Sequence, residues 1–433
     1  MIKTDQQPAR ATKMDIGSKL KFFRIQRNLK QDDLARGIIS VSYLSKIENN
    51  LTSPSEEVLK LLCERLGVSL IERNDETVLN ELMSWYKLMM TSNSVEIKKR
   101  YEELSMSIQS VNTRTYMYFV LFELRYFLYL NDLERSKLQI EKLQQFHDIL
   151  DVEMNYYFEK FFAIYTYRLN NYTGALEHLK SAERLLQRNT IFESSEEADL
   201  FYLFGLTYSQ TTKVPISITY TSKALNIFQA SYDLKRSAEC QVLLGICYRR
   251  IGEFDRSEES YLLAQKLSES LNNTYLQALI FHNLGKLYSM QSLHKQAIEE
   301  FEKSYYLKED RSLESRLNSI YCLIIEYDYL KDSGQCRKWL DTGRTLINES
   351  KELLEYEYYF SIFEYLLSDN FEELDVQFQE AFLPYFQEQE LNEPIIKYSE
   401  RLALYFESCY KYKKASFYYS LCYQELKKQT FLY

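Results

Sequence analysis

Residues 31 to 49 group side chains suited to gripping a nucleic-acid duplex. Read as a helix starting at Ser40 or Ser42, the segment turns Leu44 and Ile47 inward. That leaves Ser42, Tyr43, Lys46 and Asn49 free to point outward, with Ser40 and Val41 on the same arc. Short hydroxyls, a phenol and a cation near a helix N-terminus are the groups that base edges in a major groove require. Gln31 opens the preceding short helix, where backbone amides and a side-chain amide can hold a phosphate. An exposed Ser or Tyr alone is ordinary solvated surface; the grouping is what marks this segment.

Four short helices must position that arc. The first runs from Ile16 to Asn28 and carries Leu20, Phe23 and Arg24; the second starts near Gln31 and stops at Gly37. The third holds the arc, and a fourth begins at Pro54, lines one face with Val58, Leu59, Leu62 and Leu66, and ends at Gly67. Arg24, Gln31, Leu34-Ala35, the stretch ending in Leu-Ser-x-Ile-Glu-Asn at Asn49 and the Leu-Gly pair at 66–67 together resemble the helix-turn-helix of phage-repressor-type (XRE/Cro) regulators. The resemblance implies a buried ion pair between Arg24 and Glu48 that locks the first helix to the third. It also implies dimeric binding to a double-stranded DNA operator with two half-sites, because a small head makes few phosphate contacts. We expect residues 15–72 to form this domain, preceded by a disordered segment 1–14.

Composition supports the division. The 433 residues carry a net charge of −9, yet residues 1–70 hold 12 basic and 8 acidic side chains, so a basic head precedes an acidic body. Ten Gly and five Pro argue against a turn-rich β fold. Seven scattered cysteines, without paired ligand spacing, read as reduced core thiols. Charge-free runs such as Leu200 to Thr212 are too short for a bilayer, so a cytoplasmic protein without a membrane partner is expected.

From residue 73 onward the informative feature is a period. Gly205, Gly245 and Gly285 are 40 residues apart, and each is followed three positions later by Tyr208, Tyr248 or Tyr288. Later in each unit come Thr221, Tyr261 and Phe301, then Ala224, Ala264 and Ser304. This resembles the tetratricopeptide pattern, in which small residues let two antiparallel helices approach and large ones fill the groove. Weaker copies are read at Ala175, Leu179 and Ala182, at residues 116–146, and at Ala403, Phe406, Ala415, Tyr419 and Cys422. The fold expected is all-α: a helix-turn-helix domain, then eight or nine tetratricopeptide-like pairs over 73–433 in a right-handed superhelix with a concave face.

No catalytic constellation, metal site or cofactor motif emerges; the four His are dispersed, and no phosphate loop or nucleophile elbow is present. A concave repeat surface can instead hold an extended peptide, which needs amides for its backbone and charges for its side chains or ends. Asn283 is the leading candidate, flanked by His282 and Lys286; Arg249 and Arg250 follow Gly245 by about one turn, and Asn318 starts the next unit. Arg125 interrupts the apolar stretch YMYFVLFELRYFLYL and must find a carboxylate or reach the groove. The whole layout resembles the peptide-pheromone receptors of Gram-positive bacteria, the Rap/Rgg/NprR/PlcR/PrgX group, with its NprR-type members nearest. That resemblance implies a non-enzymatic, quorum-sensing transcription regulator that binds DNA, a short signalling peptide and its own copies as a dimer or tetramer. The alternative it carries is a Rap-like body that docks a response regulator of the sporulation phosphorelay.

Overall fold

The computed structural model describes residues 16–27, 29–67, 76–91, 94–108, 113–147, 150–188, 192–211, 213–308, 312–347 and 353–430. The segment 1–14 expected to be disordered lies outside them. Every regular element among the described residues is helical. The chain begins with α1 (Ile16–Gln26), α2 (Gln31–Ala35), α3 (Val41–Glu48) and α4 (Glu56–Leu66), followed by α5 (Glu76–Thr91) and α6 (Ser94–Ser107). Next come α7 (Thr113–Tyr129), α8 (Leu133–Gln145), α9 (Val152–Arg168), α10 (Tyr172–Gln187), α11 (Ser194–Ser209) and α12 (Val214–Ala230). The repeats continue with α13 (Leu234–Arg250), α14 (Phe254–Ser270), α15 (Thr274–Met290), α16 (His294–Tyr306), α17 (Leu313–Tyr329) and α18 (Ser333–Ile347). Last are α19 (Leu354–Leu367), α20 (Phe371–Gln377), a π-helical stretch at Phe378–Phe382, α21 (Leu383–Glu388), α22 (Asn392–Ser408) and α23 (Tyr412–Thr430). The chain forms two compact units that part between Thr207 and Tyr208.

In the head, Leu20, Leu34, Leu44, Ile47, Leu62 and Leu66 are fully buried and make a core from all four helices. Ser40, not Ser42, caps α3 by accepting from the Tyr43 N–H at 3.2 Å. Pro54 lies outside α4, whose cap is Ser55. One aromatic leaves this core: Phe22, itself fully buried, sets its ring 5.1 Å from those of Tyr116 on α7 and Phe146 after α8. The head is thereby docked on the first helices of the body within the first unit.

The 40-residue period has a simple physical origin. Helices α13, α14 and α15 are each 17 residues long and are joined by three-residue turns. Asn131, Asn170, Tyr232, Asn272, Ser292, Lys331, Asp369, Glu390 and Tyr410 each take a left-handed φ of 49° to 60° at such turns. The N–H that follows then reaches back five residues, as in Asn273 to the Ser268 carbonyl at 3.0 Å. Asp132, Asn171, Asp233, Asn273 and Asn370 go on to cap the next helix.

Within a pair, the repeat glycine lets an aromatic ring lie against the helix backbone. A Cβ on Gly245 would stand 2.4 Å from the Tyr261 ring, and one on Gly285 2.6 Å from the Phe301 ring. Gly343 makes the same approach to Phe360, but there the glycine is on α18, the second helix of its pair, and the ring on α19, the first helix of the next. Ala175, Leu179, Ala182, Ala403, Phe406, Ala415 and Cys422 are buried as expected, but on α23 the inward aromatic is Tyr418, while Tyr419 is 40% exposed. The seven cysteines are free thiols; Cys409 is exposed and Cys322 half-buried, so the core assignment fails for Cys409.

Candidate functional site

The head presents the expected arc on a fixed scaffold. Ser40, Val41, Ser42, Lys46 and Asn49 are exposed and Tyr43 is half-buried. Beneath them Arg24 makes a two-pronged pair with Glu48, Nε to Oε1 at 2.6 Å and a terminal nitrogen to Oε2 at 2.9 Å. A third donor is Gln31, whose amide reaches Glu48 Oε2 at 2.8 Å. Gln31 therefore departs from the phosphate-holding role expected of it, because its side chain completes the shell of a buried carboxylate. Removing one partner of such a pair costs about 3–5 kcal/mol, because the other charge stays buried.

In the second unit, several residues singled out for peptide binding converge. His282 on α15 is 7% exposed, its ring lies 5.4 Å from Phe301, and neither ring nitrogen has a hydrogen-bond partner. Burial, then the charges of Lys286, Lys308 and Arg249, hold His282 well below the usual histidine range, so it is neutral. Lys308, after α16, is 6% exposed and donates to the Ser315 carbonyl at 3.2 Å and to Ser319 Oγ at 2.9 Å. Lys397 on α22 is half-buried over the rings of Tyr321 and Tyr398, at 5.5 and 5.9 Å. Burial pushes both ammonium groups down to about 8, aided by Lys286 at Lys308 and by Arg401 at Lys397. Cys322 on α17 feels Lys286, Lys397 and Lys308 together, and its thiol donates to Asn318 Oδ1 at 3.8 Å.

The expected set is thus partly assembled. His282, Lys286, Arg249 and Asn318 belong to one cationic cluster. Asn283 sits beside it but is 6% exposed, and its amide donates to the Leu279 carbonyl of its own helix at 2.9 Å. Arg250 is exposed and acts on the Cys247 thiol instead of on His282. Lys308 and Lys397 were not singled out by sequence reasoning. Lys397 stands as a lone cation between Ile395-Ile396 and Tyr398, the same kind of interruption that marks Arg125.

Arg125 lies in the first unit, half-buried on α7, where its charge acts on the Tyr86 hydroxyl. That hydroxyl belongs to a different arrangement. Lys160 on α9, 1% exposed, pairs with Glu196 and Asp199 of α11, both at 2.7 Å, and donates to Tyr86 at 3.0 Å. Tyr156 also donates to Glu196, at 3.0 Å. Among the described residues no group of His, Cys, Asp and Glu is placed to hold a metal ion, and no helix is long and apolar enough to cross a membrane.

A helix-turn-helix head on tetratricopeptide-type repeats defines the class, and comparison with known proteins places the chain within it. The helix-turn-helix family profile matches residues 20–72 and a tetratricopeptide-repeat profile matches residues 243–310. The transcriptional activator NprA of Geobacillus stearothermophilus is 42% identical over 402 residues, covering 91% of this chain and 99% of that protein. The chain belongs to the family of the transcriptional activator NprA. Among solved structures, the apo form of the quorum sensor NprR from B. thuringiensis superposes with a TM-score of 0.69 at 18% identity, over 82% of this chain and all of that one. NprR in complex with its cognate peptide NprX superposes with a TM-score of 0.57, over 81% of this chain and 99% of that one. At such identity these two likenesses speak for the fold.

Proposed function

We propose that the protein is a cytoplasmic transcription regulator whose α3 face reads an operator and whose second unit binds a short signalling peptide that switches it. The observation that carries this reading is the exposed arc Ser40 to Asn49, held on the Arg24–Glu48–Gln31 network, in a chain 42% identical to a transcriptional activator over nearly its full length. Ser42 and Lys46 are the residues we assign to base contact, with Ser40, Val41, Tyr43 and Asn49 beside them. One head of this size supplies few phosphate contacts, so the binding form is a dimer or a higher oligomer on paired half-sites. Peptide binding is supported by the cationic cluster around His282 and by the peptide complex of a protein sharing this fold.

A peptide switches such a protein only by binding two conformations with different affinity. Docking of a response regulator to the repeats is the weaker reading, because it leaves the intact head without a role. Selection from a randomised duplex library by the full chain tests the proposal. One sequence motif should be enriched, and Ser42→Ala or Lys46→Ala should lose that enrichment while the fold is retained. Equal enrichment by the variants would remove the α3 assignment, and no enrichment by the full chain would remove the regulator reading.

A further inference from the structure

The cluster in the second unit joins an unsatisfied buried imidazole to lysines that have no carboxylate partner. His282 is buried and neutral, with one nitrogen able to donate and the other to accept, and neither does so. Protonation cannot relieve it against the charges of Lys286, Lys308 and Arg249. Lys308 uses only neutral oxygens, those of Ser315 and Ser319. Among the described residues no carboxylate lies within 4.0 Å of the ammonium of Lys286, Lys308 or Lys397. The nearby acids are already engaged: Glu326 accepts from Ser289 and binds His294 Nδ1 at 2.8 Å, and Asp328 pairs with Arg401. Glu393, which also acts on Lys397, is exposed on the same helix.

Two desolvated ammonium groups, Lys308 after α16 and Lys397 on α22, together with half-buried Lys286 and the orphaned imidazole on α15, therefore share one electrostatic deficit. A compact anion with two acceptor oxygens would answer it, as charge-assisted hydrogen bonds are strongest where water is excluded. The surrounding body is acidic, so such a ligand is held only where its anion meets this cluster.

We infer that the peptide bound by the second unit is anchored through a carboxylate, either its C-terminal carboxylate or an Asp or Glu side chain, seated among Lys286, Lys308 and Lys397 beside His282. The inference rests on the proposed peptide-receptor function and adds the chemical class the ligand must carry.

The test uses the full chain and equimolar randomised heptapeptide mixtures near pH 7, where carboxylates are ionised. One mixture has free C-terminal acids, a second C-terminal amides, a third lacks Asp and Glu, and a fourth combines both changes. Bound peptides are separated by rapid gel filtration and sequenced by mass spectrometry. Retention should fall at least about tenfold in the fourth mixture, the worth of one good charge-assisted contact. A fall on amidation alone identifies the C-terminal carboxylate, and a fall on omitting Asp and Glu alone identifies a side chain. Lys397→Met should erase the preference; Lys286→Gln, at a half-buried position, should weaken it if the first variant does not fold. Equal retention from all four mixtures overturns the anchor and leaves the peptide receptor standing, whereas retention from none overturns both.

Discussion

Lys160 in the first unit and Lys308 in the second are both buried lysines, at 1% and 6% exposure, yet they behave oppositely. Burial alone depresses an ammonium, but Asp199 and Glu196 hold Lys160 above its ordinary value, so its charge is permanent. Lys308 has no such partner and falls to about 8. A buried charge whose hydrogen bonds are complete fastens helices: Lys160 ties α9 to α11 and, through Tyr86, to α5. The Arg24–Glu48–Gln31 set does the same for the head. An incomplete set costs stability in the unliganded fold, and that cost is returned only when a ligand completes it. The same residue type thus fastens helices in one unit and, on the proposed function, awaits a ligand in the other.

Substitution should separate the two most sharply. Lys160→Met leaves Glu196 and Asp199 buried without their cation and should destabilise the first unit by about 3–5 kcal/mol, read as a lower urea midpoint. Lys308→Met removes an unpaired desolvated charge and should be neutral or slightly stabilising in the same measurement. In the head, Arg24→Ala should abolish DNA binding through unfolding. Lys46→Ala should instead weaken it by about 1–3 kcal/mol at unchanged melting temperature, measured by fluorescence anisotropy on the selected duplex. A smaller effect lies in the pH dependence. Lys308 and Lys397 hold fewer protons folded than unfolded between about 8 and their ordinary value of 10.5. Stability of the unliganded protein should therefore rise with pH across that window relative to a Lys308→Met/Lys397→Met variant. Saturating peptide should flatten the difference.

The sequence was most informative where the relevant contacts are local. The α3 arc, its Ser40 cap and the Arg24–Glu48 relation lie within a few turns of each other, and a short motif specifies them. The pairs Gly245–Tyr261 and Gly285–Phe301 were legible because the period repeats them. The turns were less so. Left-handed Asn, Ser, Lys and Tyr residues stand where glycine would have signalled a helix end, and Gly252 is the only glycine among the repeat turns described. On α23 a one-residue error of register put Tyr419 inside in place of Tyr418, since both neighbours are aromatic. Lys308 escaped notice because desolvation is a property of the packed helices, and the apolar flanks of Lys397 show an interruption without showing that a carboxylate is missing.

The central claim, that desolvated lysines without a carboxylate partner form the proposed ligand-binding site, is tested most directly by titrating a selected acidic peptide into the full chain calorimetrically between pH 7 and 9.5, in buffers of different ionisation enthalpy. The account predicts that binding takes up protons near pH 8 to 9, as a carboxylate raises the two lysines, and that affinity falls above that range. In the Lys308→Met/Lys397→Met variant the proton uptake should vanish. Tight binding with no proton uptake, unchanged by the double substitution, would contradict it.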